Sequence, residues 1–175
     1  DQLGEHNIIQ KAVFYEQSVK VPMLMRVPWL TDRESKIPGR YSHIDTVPTL
    51  LELTGSSVPD YLQGKSRVPV LNGETTLENN DVMIDWTGRN LDVTRDIVYD
   101  ATIQDVDHRI LISHDGWKLN LGDGDQGELY DMNTDPTEST NLFDDPSYGD
   151  RIKDMASRIR EWQRSTGDNA RLPEM

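Results

Sequence analysis

Lys11 and His6 are the residues of this sequence best suited to handling an anion. Both lie in the opening stretch "DQLGEHNIIQK", ahead of the first long apolar run, Val21 to Val27. A lysine ammonium is a compact point charge that suits a tetrahedral oxyanion. An imidazole near it can give a proton or a hydrogen bond to the same group. Irregular chain beside a buried strand is also where open α/β sheets place ligands. The plain alternatives are a solvated surface lysine and a loop histidine bonded to backbone. Glu5 reads as structural, and Glu16 with Lys20, four apart, as a local ion pair.

The other titratable residues promise less chemistry. His43, His108 and His114 are scattered, without the i, i+4 spacing of a helical metal site. In "GDGDQG", Asp123 and Asp125 alternate as in a calcium loop, but the remaining ligands and the distal bidentate Glu are missing. That stretch reads as a turn between strands. "YDMNTDPTES" has Asp-Pro turn chemistry. The sequence contains no P-loop, dinucleotide fingerprint, serine elbow or kinase motif. It has no cysteine, so disulfides, thiolate nucleophiles and Cys-based zinc sites are excluded within it.

The bulk numbers set the frame for these residues. A length of 175 residues suits one domain or slightly more. The apolar share of 35% is lean, which fits a core completed by further chain. The net charge of −13 repels nucleic acid and anionic membrane, so neither is expected as a partner. A halophilic surface and an ordinary acidic surface both fit that charge. No uninterrupted apolar stretch approaches the ~18 residues of a membrane-spanning helix.

Several elements could position the opening segment. Residues 1–20 read as a loop with a short turn at Tyr15–Ser18. "VPMLMRV", Val21 to Val27, is apolar on both faces and predicts a buried strand of an α/β sheet. "YSHIDTVPTLLELTG" predicts a helix with Asp45 as N-cap, Pro48 in the first turn and Gly55 as the left-handed stop. Val47, Leu50, Leu51 and Leu53 form its expected buried stripe. "NGETTLENN" reads as a solvated excursion. The strand candidates beyond it are "DVMIDW", "DIVYDATI", "HRILIS", "WKLNL" and "ELYDM". "HRILIS-HDG-WKLNL" reads as a hairpin turned by Asp115-Gly116, with Trp117, Leu119 and Leu121 on one face opposed by Ile110 and Ile112. A final amphipathic helix is predicted over 148–165, with Ile152, Met155, Ile159 and Trp162 inward.

These segments also carry a family resemblance. "DQLGEHNIIQKAVFYEQSVKVPMLMR", "SHIDTVPTLLELTG", "LQGKSRVPVL", "WKLNL…ELYDMNTDPTESTNLFDDP" and "EWQRSTGD" follow one another as in the sulfatases of the alkaline phosphatase superfamily. The chain resembles the C-terminal part of an arylsulfatase-like enzyme. The resemblance implies an α/β fold, with residues 1–80 as the end of the catalytic domain. Residues 81–175 would form an antiparallel-sheet subdomain packed by one helix. It further implies that Lys11 contacts the sulfate group and is catalytic, and that His6 binds substrate at the pocket rim. Gln10 would tune specificity. Asp1 lies close to the metal-binding stretch without being a ligand.

By the same comparison, a formylglycine nucleophile and calcium belong to sequence upstream of Asp1. The expected metal ligands within this chain are therefore none, and the isolated polypeptide is expected to be inactive. The implied activity is hydrolysis of sulfate esters of a sulfated small molecule or sugar. The implied partner is the N-terminal part of the same enzyme. A phosphodiesterase or phosphonate monoester hydrolase of the same superfamily is the nearest alternative, and a non-catalytic interaction module is the other.

Overall fold

A computed structural model describes residues 2–7, 9–11, 13–30, 34–87 and 106–175. The chain divides into two compact units. One joins Asp1–Val21 to Met83–Met175, and the other is Pro22–Val82.

The first unit is built on an antiparallel sheet whose strand order follows the sequence. Its strands are β3 (Val82–Thr87), β4 (Asp107–Ile112), β5 (Trp117–Gly122) and β6 (Glu128–Asp131). Strands β1 (Gln2–Leu3) and β2 (Ile9–Gln10) form a separate two-residue hairpin. The opening segment is therefore more ordered than the loop expected from sequence. "DIVYDATI" lies outside the described residues.

The β4–β5 hairpin forms as expected. Gly116 takes the positive φ of 93° at its turn, and Asp115 does not share it. The register corrects the expected facing of side chains. Leu111 lies opposite Leu119 and Arg109 opposite Leu121, while Ile110 faces Asn120 and Ile112 faces Lys118. Because side chains alternate across a sheet, Leu111, Leu119, Leu121 and Leu129 line one face. They pack against Ile152, Met155, Ala156 and Ile159 of the long helix α4 (Gly149–Thr166). Trp162 is only half-buried.

The opposite face carries His108, Ile110, Ile112, Lys118, Asn120, Glu128 and Tyr130. Polar residues alternating with apolar ones in a strand ordinarily mark a solvated face. Here His108, Lys118, Asn120 and Tyr130 are buried, because Phe14 and Tyr15 lie against this side. The sheet is thus covered on one face by α4 and on the other by the segment that leads into the short helix α1 (Glu16–Val19).

In the second unit the expected buried strand does not form. Val21–Val27 has no regular secondary structure and pairs with no strand among the described residues. Leu24 is 95% exposed and Trp29 70% exposed. An apolar run needs cover on both faces to behave as an interior strand, and here only Met25 and Val27 are half-buried.

With a short helix α3 (Val68–Leu71) further along the same unit, helix α2 (Thr46–Leu53) forms where expected and ends at Gly55, φ 73°. Ser56 N donates to Leu51 O at 2.9 Å and Gly55 N to Glu52 O at 3.0 Å, the paired bonds of a Schellman stop. Its buried residues are Pro48 and Thr49, whereas Val47 and Leu50 are exposed, against the expected stripe. Asp45 occupies the N-cap position without capping. Its backbone is helical there, so its carboxylate cannot turn back to the first-turn N–H groups. The carboxylate instead accepts from Lys65 N at 2.8 Å and from Arg67 Nε at 2.7 Å. "NGETTLENN" is mostly exposed, as expected, but is anchored at two points. Leu77 is buried and bridges to Gly39, and Asn80 binds Arg67 and the Arg40 carbonyl.

Candidate functional site

The candidate site is the chain from His6 to Ser18, held against the polar face of the sheet. His6 sits in the turn between β1 and β2 with φ 52° and ψ 23°, left-handed backbone that non-glycine residues seldom adopt. Two contacts hold it there. Its ring lies flat on Tyr15, 3.8 Å between centroids and 4° between planes. Its Nε2 is 3.0 Å from Thr137 O, and since a carbonyl only accepts, Nε2–H is the donor. In the neutral ring Nδ1 is then an acceptor.

Lys11 follows β2 directly and is exposed. Its Nζ donates to Ser18 O, 3.3 Å away on α1. Gln10 lies in β2, and Asp1 is outside the described residues. Glu5 is structural in geometry, its Oε2 accepting from Leu3 N at 2.7 Å. That bond, first among several influences, holds its carboxyl below the usual range. Glu16 does pair with Lys20, at 3.7 Å.

Beneath the segment is a polar layer that the sequence reading did not single out. Tyr15 OH donates to Glu128 Oε1 at 3.0 Å. Burial pushes the Tyr15 hydroxyl upward, and the adjacent Glu128 charge adds to it. Burial raises Glu128 likewise. Asn120 Nδ2 donates to Glu128 Oε2 at 3.5 Å, and His108 Nδ1 lies 3.0 Å from Asn120 Oδ1. Burial lowers His108. Lys118, 1% exposed, donates to Glu138 Oε1 at 2.5 Å and to Phe14 O at 2.6 Å. The only signal in the sequence was alternation itself: Lys118 and Asn120 interleave with Leu119 and Leu121. That pattern reads as a solvated face until a cover is known.

Among the described residues no group of three His, Cys, Asp or Glu could hold a metal ion. His43, His108 and His114 are not brought into such a group. The calcium implied by the resemblance therefore finds no fitting donor set among the described residues. A cavity of about 620 Å³ lies in the Pro22–Val82 unit, lined by Met23, Leu24, Val27, Ile37, Arg67 and Leu77 among others. Neither Lys11 nor His6 lines it.

Residues 4–165 match the family model of the N-sulphoglucosamine sulphohydrolase C-terminal region. The chain belongs to this sulfatase family. An N-acetylglucosamine-6-O-sulfatase of Bacteroides thetaiotaomicron is 29% identical over 168 residues, covering 95% of the chain and 29% of that relative. A multifunctional alkaline phosphatase superfamily protein of Trinickia caryophylli is 25% identical over 179 residues, covering 96% and 33%. A solved structure in complex with its substrate D-glucosamine-2-N,6-O-disulfate superposes with a TM-score of 0.77 at 28% identity, covering 96% of the chain and 33% of that structure. The chain spans about a third of the length of these proteins. Its fold is the C-terminal portion of a sulfatase: an α/β chain with a four-stranded antiparallel sheet packed by a terminal helix.

Proposed function

We propose that this sulfatase domain serves a sulfuric ester hydrolase acting on a sulfated sugar or other small sulfate ester. Within it, Lys11 neutralises charge on the sulfuryl group and its leaving oxygen. His6 presents Nδ1 to the substrate at the rim, with Nε2 engaged by Thr137. When neutral, that nitrogen accepts a hydrogen bond from a substrate hydroxyl. Calcium and a formylglycine nucleophile, supplied by residues outside this chain, would provide Lewis-acid stabilisation and attack on sulfur. The 175-residue polypeptide alone is inactive on this reading, since it offers a charge-stabilising group and no nucleophile.

The observation that carries the reading is the family match across residues 4–165, which includes both His6 and Lys11. The exposed apolar residues of Val21–Leu30 agree with it, because they suit burial against the remaining two-thirds of a sulfatase-length chain. The test is hydrolysis of 4-nitrophenyl sulfate and of 6-O-sulfated glucosamine by the sulfatase-length protein. Lys11→Ala lowers kcat/KM by roughly 10²-fold or more there. Unchanged kinetics would remove Lys11 from the site.

A second reading is a phosphodiesterase or phosphonate monoester hydrolase. One relative is a multifunctional alkaline phosphatase superfamily protein, a description that more than one ester class fits. A tetrahedral phosphoryl group would meet the same lysine, so relative rates on aryl sulfate and aryl phosphonate esters separate the two.

A further inference from the structure

We propose that Lys118 and Glu138 are positioning residues that set the course of the segment bearing Lys11; the inference rests on the functional reading above and adds the device that aims its lysine. Glu138 is 1% exposed and has φ 57°, a strained backbone held inside the Asp-Pro turn. Its N–H donates to Asp135 O at 3.2 Å, and Asp135 Oδ2 accepts from Thr140 N at 2.8 Å. One carboxylate oxygen of Glu138 takes the Lys118 ammonium, and the other accepts from Glu16 N at 2.6 Å. Lys118 in turn holds Phe14 O and stands 3.8 Å from Glu16 Oε1.

These contacts grip the segment on both sides of Lys11. Upstream, His6 is bonded to Thr137 O, the neighbour of Glu138 in the same turn. Downstream, Phe14 and Glu16 are bonded to the buried pair. Lys11 lies between these anchors. One acceptor of its ammonium, Ser18 O, belongs to the helix whose first N–H rests on Glu138. A path of hydrogen bonds therefore runs from Lys118 through Glu138, Glu16 and α1 to the Lys11 ammonium.

Stability alone does not account for such a pair. Desolvating two charges costs about as much as their attraction returns, and well-packed apolar replacements are often neutral or stabilising. What an apolar pair cannot supply is a bond to Phe14 O and one to Glu16 N at the same time. The device fixes geometry, and a misplacement of about 1 Å at a reacting group costs about 10²-fold in rate.

The test has two arms. In the 175-residue chain, Glu138→Gln has one amide oxygen for two donors, Lys118 Nζ and Glu16 N. Its amide and imidazole ¹⁵N resonances are expected to shift across residues 5–18 while those of α4 stay in place. Lys118→Arg keeps the charge and serves as the second variant should Glu138→Gln fail to fold. It is expected to retain the α4 resonances and shift the same segment. Unmoved resonances over residues 5–18 in a folded variant overturn the proposal. In the sulfatase-length protein, both variants are expected to lower kcat by about 10²-fold with KM changed less than threefold. Loss confined to KM, or to thermal stability with kcat intact, also overturns it. If the unsubstituted sulfatase-length protein cleaves neither sulfate nor phosphonate esters, the functional reading fails, and the resonance arm still decides whether the pair positions the segment.

Discussion

The Arg109 guanidinium holds the Asp168 carboxylate in a two-pronged grip, Nε to Oδ2 at 3.0 Å and Nη2 to Oδ1 at 2.6 Å. Arg109 is on β4, and Asp168 follows Gly167, the left-handed residue that ends α4. Gln163 Nε2 adds a bond to Asp168 Oδ2 at 2.7 Å. The grip ties the end of the covering helix to the sheet it covers.

Arg109→Ala is expected to cost roughly 2–3 kcal/mol, less than for a fully enclosed pair because Asp168 keeps some contact with solvent. The Arg109 hydrogen bond, first among several influences, holds the Asp168 carboxyl below its usual range. A depressed folded-state value means the contribution is complete above the unfolded value near ~3.9 and is lost as pH falls through the folded one. Urea midpoints against pH check this. A wild-type minus Arg109→Ala difference that stays constant from pH 6 down to pH 2 would contradict the assignment.

Glu128 has the opposite sign. Burial raises its carboxyl, so the folded state binds a proton more tightly than the unfolded state does. Its contribution therefore weakens as pH rises from the unfolded value near ~4.3 through the folded one. Glu128→Gln removes that decline and gains stability relative to wild type at neutral pH. The variant's advantage should vanish in acid, and an equal advantage at pH 3 and pH 7 would show that charge is not the cause.

Leu119 is fully buried between two strands and α4. Leu119→Ala is expected to lose about 2–5 kcal/mol through lost burial and the cavity left behind. Leu3→Ala, at a position 85% exposed, stays within about 0.5 kcal/mol. Chemical denaturation of the two side by side is the measurement.

At Asp45, two physical roles give different outcomes on substitution. A helix cap tolerates serine. A carboxylate that holds Arg67 and the Lys65 N–H does not, because serine cannot satisfy both. Asp45→Ser is therefore expected to destabilise the Pro22–Val82 unit as much as Asp45→Ala, by roughly 1–3 kcal/mol. Hydrogen exchange at α2 reads the effect, and protection in Asp45→Ser equal to wild type would restore the capping role.

Much of the sheet and both long helices were legible in the sequence, because each carries a periodic pattern that local chemistry reinforces. Gly55 and Gly116 punctuated them where left-handed backbone was required. Ile152, Met155 and Ile159 repeat at helical spacing and are buried together. The illegible parts depend on cover from distant chain. Ile110 and Ile112 were assigned to the wrong face because alternation defines two faces without saying which one a helix will cover. Lys118 reads as solvated until Phe14 and Tyr15 are placed over it. Val21–Val27 reads as interior strand because its composition records neighbours that the described residues do not provide. Lys11 and His6 stand out from residue type and resemblance. The layer that holds their segment in place does not, since its partners lie more than 100 positions apart.

Those separations carry a kinetic consequence. Phe14, Glu16 and His6 bond to residues 104, 122 and 131 positions further along. During synthesis, residues 6–16 leave the ribosome before the residues that clamp them. The His6 turn therefore closes only after β5 and the Asp-Pro turn have been synthesised, and closing so long a loop is paid in entropy before any contact rewards it. Ordering of the His6–Ser18 segment is thus timed by synthesis of the Asp-Pro turn, so a chain cut short anywhere before Glu138 keeps His6 and Lys11 in its sequence but lacks the clamp that fixes their segment.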